Sequence, residues 1–347
     1  MQINEHQILI TGGAGYIGSH TIIALCEAGF RNLVSVDNYS NSSDSTYARI
    51  KYITGIEIVH RQCDLSDSLQ VENLFKEFPG ITGVIHFAAH KSVPESVANP
   101  IEYYRNNINS LINVLKFGSE QKLRSIIFSS SCSVYGNINS LPVNEETPAG
   151  QTESPYAYSK VIGERILNDF TIANSNISGI SLRYFNPVGA HESGMIGELP
   201  DQRPNNLVPV ITQTAIGKLQ EFSVFGNDYP TRDGTCIRDY IHVCDIAEAH
   251  VSALKLLLGN KTLLRYDVMN LGSGNGVTVL EAIQAFEKAS GIRPAYKIAG
   301  RRAGDVVAIF SDSAKANRIL GWSAQRSLDV MMSSAWKWEL YCKENGI

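Results

Sequence analysis

Short apolar runs alternate with longer segments whose apolar positions recur every three to four residues, and this alternation organises the first half of the chain. Residues 7–11, 32–36, 57–60, 83–87, 125–130 and 180–184 predict strands, and 16–29, 69–78, 103–120 and 156–173 predict helices. On 16–29, Ile17, Ile22, Ala24, Leu25 and Ala28 fall on and near one face. Ser154-Pro155 forms the lead-in to 156–173, because proline fits the first turn of a helix. Strands that alternate with helices build parallel strand–helix–strand units. The expected fold class is therefore α/β, with a doubly wound parallel Rossmann-type sheet.

After about residue 186 the texture changes. Gly, Pro and Asn cluster through 187–209 and again at 226–234, and helical patterning returns at 208–218, 243–258, 279–290 and 313–320. Shorter, irregular elements following a sheet predict a smaller α/β domain over the strand ends. The expected division is 1–187 for the sheet domain and 188–347 for the smaller one, with segments near 238–258 returning to the first.

Composition acts mainly by exclusion. A formal net charge of −4 and a pI near 6.1 argue against nucleic acid or an anionic membrane surface as the main partner. The opening residues lack a basic stretch leading into an apolar core, and no run approaches the ~18 apolar residues of a membrane helix. Six scattered cysteines without Cys-x-x-Cys read as free thiols of a reducing compartment, so a cytoplasmic location is expected. His86 and His90 are four apart across a strand end, where that spacing does not converge, and no metal site is expected.

Two local patterns carry chemistry. Ile8-Leu9-Ile10-Thr11-Gly12-Gly13-Ala14-Gly15-Tyr16-Ile17-Gly18 places Gly-x-x-Gly-x-x-Gly between a strand and a helix. Gly12 and Gly15 allow a tight turn close to a pyrophosphate, Gly18 lets the helix pack, and the helix N-terminus faces the phosphates. Asp37 ends the next strand, nineteen residues beyond Gly18, where a carboxylate holds an adenosine ribose diol and repels a 2′-phosphate. That favours NAD as the cofactor. Asp64 ends the following strand and is either an adenine contact or a turn-initiating residue. The second pattern is Tyr156 with Lys160, on one helix face at i and i+4. An adjacent ammonium favours the phenolate and makes a usable base, and Ser131, at the end of an apolar run, supplies a hydroxyl to share the substrate's hydrogen bond.

Together these resemble the extended short-chain dehydrogenase/reductase family, and within it the UDP-galactose (UDP-glucose) 4-epimerases. The likeness rests on Phe87-Ala88-Ala89-His90-Lys91-Ser92-Val93, Ser129-Ser130-Ser131-Cys132-Ser133-Val134-Tyr135-Gly136, and Arg183-Tyr184-Phe185-Asn186-Pro187-Val188-Gly189-Ala190. It rests equally on Pro204-Asn205-Asn206-Leu207, Phe225-Gly226-Asn227-Asp228-Tyr229, and the run from Asp233 to Val243. It implies bound NAD, a UDP-sugar substrate and a homodimer. Tyr156 would be the base and acid, Lys160 its electrostatic partner and ribose ligand, and Ser131 the helper at the sugar 4-hydroxyl. Lys91 would meet the cofactor ribose and Asn106 would support the cofactor pocket. Besides the glycines and Asp37, the resemblance puts Tyr16, Ile17, Asn38, Asp64, Leu65, Phe87, Ala88, Ala89, Ser129, Tyr184 and Phe185 around the cofactor. Around the substrate it puts Lys91, Ser133, Leu207 and Ile309, with Asn186 and Asn206 on sugar or diphosphate. Arg238 and Arg302 would pair with the diphosphate, Phe225 would stack near uracil, and Asp305 would accept from the uridine ribose.

Three departures matter. Ser133 stands where the family often has Thr, which keeps the hydroxyl, and Cys132 replaces a usual Ala. Ile309 falls where family members restricted to glucose and galactose carry a large Tyr, so room for a 2-acetamido sugar is expected. A nucleotide-sugar 4,6-dehydratase shares the fold and the Tyr/Lys pair, but commonly has Asp-Glu directly after the Ser/Thr, where Cys132-Ser133 stand here.

Overall fold

The computed structural model describes residues 3–138, 140–199, 204, 206–259, 265–302 and 305–347. Asn205, which belongs to a motif quoted above, lies outside the described residues. In chain order the strands are β1 (Gln7–Thr11), β2 (Leu33–Asp37), β3 (Val59–Gln62), β4 (Ile81–His86), β5 (Ser125–Ser131), β6 (Ser178–Tyr184), β7 (Asn186–Val188), β8 (Phe222–Phe225), β9 (Ile237–His242), β10 (Tyr266–Leu271), β11 (Gly276–Thr278), β12 (Tyr296–Ala299) and β13 (Ala308–Ile309). The helices are α1 (Tyr16–Glu27), α2 (Ser45–Thr54), α3 (Ser68–Glu77), α4 (Val93–Ala98), α5 (Pro100–Ser119), α6 (Pro155–Ala173), α7 (Leu207–Ala215), α8 (Val243–Leu258), α9 (Val279–Ser290), α10 (Ala314–Leu320) and α11 (Leu328–Asn345).

Seven strands form one parallel sheet in the order β10-β6-β5-β4-β1-β2-β3. Alternate residues feed opposite faces, the period-2 consequence of the pleat. Ile8, Ile10, Ile85 and Ile127 pack with Ile22 of α1 and Leu254 of α8. Leu9, Val34, Val84 and Ile126 pack on the other side with Phe75 of α3, Val114 of α5 and Leu167 of α6. Burial on both faces explains why these strands read as continuous apolar runs. From β1 the chain winds outward through β2 and β3, then returns beside β1 as β4 and winds the other way. The crevice at this reversal lies between the ends of β1 and β4, where Thr11 and His86 are in register. Such a crevice is where open α/β sheets bind ligands.

Beyond residue 188 the chain contributes to two places. α8 packs on α1, β5 and β6, and β10 pairs with β6 at the sheet edge. The remaining strands form a small sheet, β11-β9-β13 with β7 on β9, and the pair β12-β8. Their core joins Val224 and Tyr240 to Ile211, Phe286 and Met332.

The sequence expectations gave no element at β10, α2, α4 or α11. β10 reads Tyr-Asp-Val-Met-Asn-Leu, and its polar positions are matched by distant partners: Asp267 with Lys315, and Asn270 Oδ1 accepting from Tyr135 at 2.7 Å. A strand completed by tertiary partners loses its alternation. In α11, Met331, Ala335, Trp338 and Cys342 do have helical spacing and are buried. No helix among the described residues is long and apolar enough to cross a membrane. Those residues also hold no group of three or more His, Cys, Asp or Glu that could bind a metal.

Four histidines sit buried and neutral. Burial lowers His20 and His250 to about 4, and His86 and His242 to about 3. Unfolded histidine titrates near 6.5, so below that pH the unfolded chain takes up protons that the folded chain refuses. Stability present at pH 7 is therefore lost as pH falls from about 6.5 towards 4, by roughly 1–2 kcal/mol per histidine at pH 5. The urea midpoint is expected to drop clearly between pH 7 and pH 5; equal midpoints would contradict this.

Candidate active site

The glycine loop is held in a shape that side chains would break. Gly12 has φ 67°, and a Cβ there would lie 2.9 Å from the Ala88 nitrogen. At Gly18 a Cβ would fall 2.3 Å from the Gly12 carbonyl oxygen. Gly15 is the N-cap of α1 and no side chain caps its first turn, which leaves amide donors for an anion. Asp37, at the end of β2, is tied to this loop. Its Oδ2 accepts from the Ala14 amide at 3.0 Å, and its Oδ1 accepts from the Tyr39 amide at 3.0 Å and the Ser42 hydroxyl at 2.9 Å. A carboxylate has about four lone-pair sites, and with three taken it can still accept from a ribose hydroxyl. The cradle, the uncapped helix end and the fixed acid fit a dinucleotide.

Other residues assigned to the cofactor side lie around the same strand ends. The Ala88 amide donates to Thr11 Oγ1 at 3.3 Å, which binds the segment after β4 to β1. Phe87 leans on His250 with ring centres 4.7 Å apart, and Tyr16 donates to the Gly189 carbonyl at 2.6 Å. Leu65 is buried and Asn38 Oδ1 accepts from the Ser40 amide at 3.0 Å. Asp64 accepts from the Ser66 amide and hydroxyl, so it starts a turn whatever else it does. Asn106 donates to Asn107 Oδ1 at 2.9 Å. Asn107 does more: its Oδ1 accepts from the His90 amide at 2.8 Å, and its Nδ2 donates to the His90 carbonyl and to Ser159 Oγ. It fixes the loop carrying Lys91 to α6, and nothing in a lone Asn-Asn pair signals that role.

The chemistry-bearing group forms where β5 ends. Ser154 caps α6 by accepting from the Ala157 amide at 3.2 Å, so the helix begins one residue before Tyr156. Lys160, one turn on, is buried and donates to the Ser129 carbonyl at 2.8 Å. Its Nζ lies 5.8 Å from the Tyr156 ring centre. Ser131 Oγ accepts from Ser133 Oγ at 3.0 Å and from the Ser133 amide at 3.2 Å. Its own proton is thereby left for another acceptor. Ser129 Oγ hydrogen bonds the Tyr184 hydroxyl. The expectation that Lys160 brings the phenol down is not what the protein alone displays. Burial pushes Tyr156 up to about 12 against an opposing hydrogen bond with Ser131, and burial lowers Lys160 to about 8 against the pull of Glu164.

Residues assigned to the substrate fall into two further groups. Arg302 grips Asp305 with two bonds, at 2.8 and 3.2 Å, and its guanidinium sits 5.3 Å over the Phe225 ring. Arg238, on β9, donates to the Val306 carbonyl at 2.8 Å and lies 3.6 Å from Asp305. Phe225 is half-exposed at the end of β8. The second group is Lys91 and Asn206, which meet on Glu198. Leu207 opens α7 directly after Asn206, and Asn186 pairs with Tyr240 where β7 meets β9. Ile309 is in register with Arg238 and buried with Val134, Tyr135 and Phe185.

A glycine cradle with an acid on the next strand, and a serine and Tyr-x-x-x-Lys at a neighbouring strand end, define an extended short-chain dehydrogenase/reductase. The family described as GDP-mannose 4,6 dehydratase matches residues 9–335. The UDP-glucose 4-epimerase of Bacillus subtilis is 48% identical over 332 residues, covering 96% of each chain. Among solved structures, a UDP-glucose-4-epimerase from Stenotrophomonas maltophila with bound NAD and formylated UDP-arabinopyranose superposes with a TM-score of 0.93 at 44% identity, over 98% of this chain and 99% of that one. One from Bifidobacterium longum in complex with NAD+ and UDP gives 0.92 at 45% identity, over 98% and 100%. The chain belongs to the UDP-glucose 4-epimerase family.

Proposed function

We propose that the chain is a UDP-hexose 4-epimerase, interconverting UDP-glucose and UDP-galactose by transient oxidation at C4 with tightly held NAD. The observation that carries this is Ser131, Tyr156 and Lys160 gathered at the end of β5, two strands from the glycine cradle. Held by the glycine cradle and Asp37, bound NAD would supply a reversible hydride acceptor for C4 and a positive ring charge that favours a phenolate. Tyr156 takes the 4-hydroxyl proton and later returns it. Ser131 donates to that oxygen, and Lys160 holds its ammonium beside the phenol. Arg238 and Arg302 hold the diphosphate, so the sugar can present either face while it stays anchored. Asp37 sets the preference for NAD over its 2′-phosphate. Cys132 and Ser133 offer no acid and base for eliminating the C6 hydroxyl, which argues against dehydration. Incubation with UDP-glucose is expected to yield the 4-epimer; a 4-keto-6-deoxy sugar would overturn this reading.

Substrate breadth rests on Ile309. An isoleucine packed among Val134, Tyr135 and Phe185 leaves more space than a tyrosine at that register. UDP-N-acetylgalactosamine is expected to turn over, and Ile309→Tyr to reduce that rate at least about tenfold while sparing UDP-galactose. Equal, negligible rates in wild type and variant would contradict it.

The working form is a homodimer of the cytoplasm. Ile101, Tyr104, Ile108 and Ile112 form one stripe on the outer side of α5, with Ile101 77% and Ile112 42% exposed. Tyr158 of α6 stands against Tyr104 at 6.5 Å and widens it. A second copy offers the same stripe, as a two-fold interface requires. A single-chain mass in sedimentation would contradict the dimer. The six cysteines are free, in keeping with a reducing compartment, and recovery in a periplasmic fraction would contradict that placement.

A further inference from the structure

Glu198 lies in the irregular segment between β7 and α7, and no pattern in the sequence marks it. Its side chain is 12% exposed. The carboxylate oxygen Oε1 accepts from Lys91 Nζ at 3.0 Å and from Asn206 Nδ2 at 2.9 Å. Its backbone oxygen accepts from Trp338 Nε1 at 2.9 Å, which ties the residue to α11. Lys91 comes from the loop after β4, on the cofactor side of the crevice. Asn206 directly precedes α7, on the substrate side, and makes no side-chain cap to it. One oxygen of this mostly covered side chain thus bonds two groups that serve different ligands.

An ion pair kept only for stability has no need of this arrangement. Lys91 is half-exposed, and exposed pairs contribute about 0–1 kcal/mol. What the mostly covered carboxylate does provide is a fixed direction. A lysine ammonium on four rotatable bonds and an amide at a loop end are each poorly defined alone. Bonded to one anchored oxygen, they are held at a constant separation.

We propose that Glu198 is a positioning residue that sets Lys91 and Asn206 in register, so that cofactor and UDP-sugar are held in mutual alignment. This rests on the epimerase reading above. Its effect falls on alignment more than on folding, since a misplacement of about 1 Å at a reacting centre can cost ~10²-fold. Glutamine at 198 keeps an acceptor oxygen for both donors and loses only the charge.

The test uses the purified protein with its retained cofactor, and compares wild type, Glu198→Ala, Glu198→Gln, Lys91→Ala and the Lys91/Glu198 double alanine variant. Turnover, KM for UDP-glucose, UDP affinity by calorimetry, NAD released on acid denaturation and the urea midpoint are measured for each. Glu198→Ala is expected to lower kcat at least about tenfold and weaken UDP binding several-fold, with the urea midpoint near that of wild type. Glu198→Gln should recover most of the UDP affinity and part of kcat. The double variant should be no worse than the poorer single one, because both remove the same contact. Wild-type kcat and UDP affinity in Glu198→Ala would overturn the assignment. So would a loss that follows the urea midpoint and is not rescued by glutamine. Wild-type protein that forms no 4-epimer would instead overturn the activity reading itself, and UDP affinity and NAD content would still read the Glu198 contact.

Discussion

Tyr156→Phe is expected to lower kcat by about 10²–10⁴-fold, the range over which a positioned acid–base group contributes, while NAD stays bound and UDP affinity stays within a few-fold of wild type. The change removes one oxygen and keeps the ring. The ring is half-buried on α6, with Lys160 Nζ 5.8 Å from its centre, and phenylalanine fills the same space. The phenol hydroxyl is therefore separable from the packing around it. Ser131 does not replace it. Its oxygen already accepts two bonds from Ser133, and a serine hydroxyl has no tendency to ionise near neutral pH. Lys160 cannot take over either: lowered only to about 8, it is mostly an ammonium at pH 7 and has no lone pair to accept the proton. The comparison to make is steady-state turnover of UDP-glucose with NAD content measured on the same preparation. Near-normal turnover would remove Tyr156 from the role of base. A loss of both turnover and NAD would show that the hydroxyl holds the cofactor instead.

Arg183→Met is expected to destabilise the folded chain by about 3–5 kcal/mol, because it leaves a buried carboxylate unpaired. Arg183 on β6 grips Glu164 on α6 with two bonds, at 2.8 and 2.6 Å, and both side chains are at most 10% exposed. Ser130 donates to the same carboxylate at 2.5 Å, and Arg183 Nη1 donates to the Tyr135 hydroxyl at 3.1 Å. That hydroxyl donates in turn to Asn270 on β10. Every member has a partner, and the chain of bonds runs from the helix bearing Tyr156 and Lys160 to the strand end bearing Ser131. Removing the arginine exposes the desolvation cost that pairing had offset. Removing both ends, as in Glu164→Leu with Arg183→Met, should restore much of the loss, because a packed apolar pair is often as stable as a buried ion pair. Urea denaturation of both variants measures this; an Arg183→Met midpoint equal to wild type would contradict it.

How much of this could be read along the chain depends on the range of the contacts. The glycine loop, Asp37, and the pairing of Tyr156 with Lys160 are consequences of local geometry: a strand, a turn and one helical repeat. Their spacing therefore appears directly in the sequence. The parallel sheet was legible for a related reason, since strands buried on both faces stay apolar throughout. β10 was hidden because its polar residues are satisfied by Tyr135 and Lys315, far away in sequence. Glu198 was hidden more completely: Lys91 is 107 residues from it, and an acid in a loop reads as solvated surface. The same holds for Asn107, a polar residue whose partners lie in the His90 loop and in α6. The electrostatics were legible in kind and not in sign. Spacing places an ammonium by the phenol, but only the folded structure shows that burial outweighs the Ser131 hydrogen bond and leaves Tyr156 high.

The claim at the centre is reversible oxidation at C4 by a cofactor the protein keeps. Purified protein, given UDP-glucose in D2O with no NAD added, should produce UDP-galactose whose C4 still carries the original hydrogen, read by NMR. Epimerisation with deuterium at C4 would mean exchange with solvent and a different mechanism, and no epimerisation in either H2O or D2O would contradict the account outright.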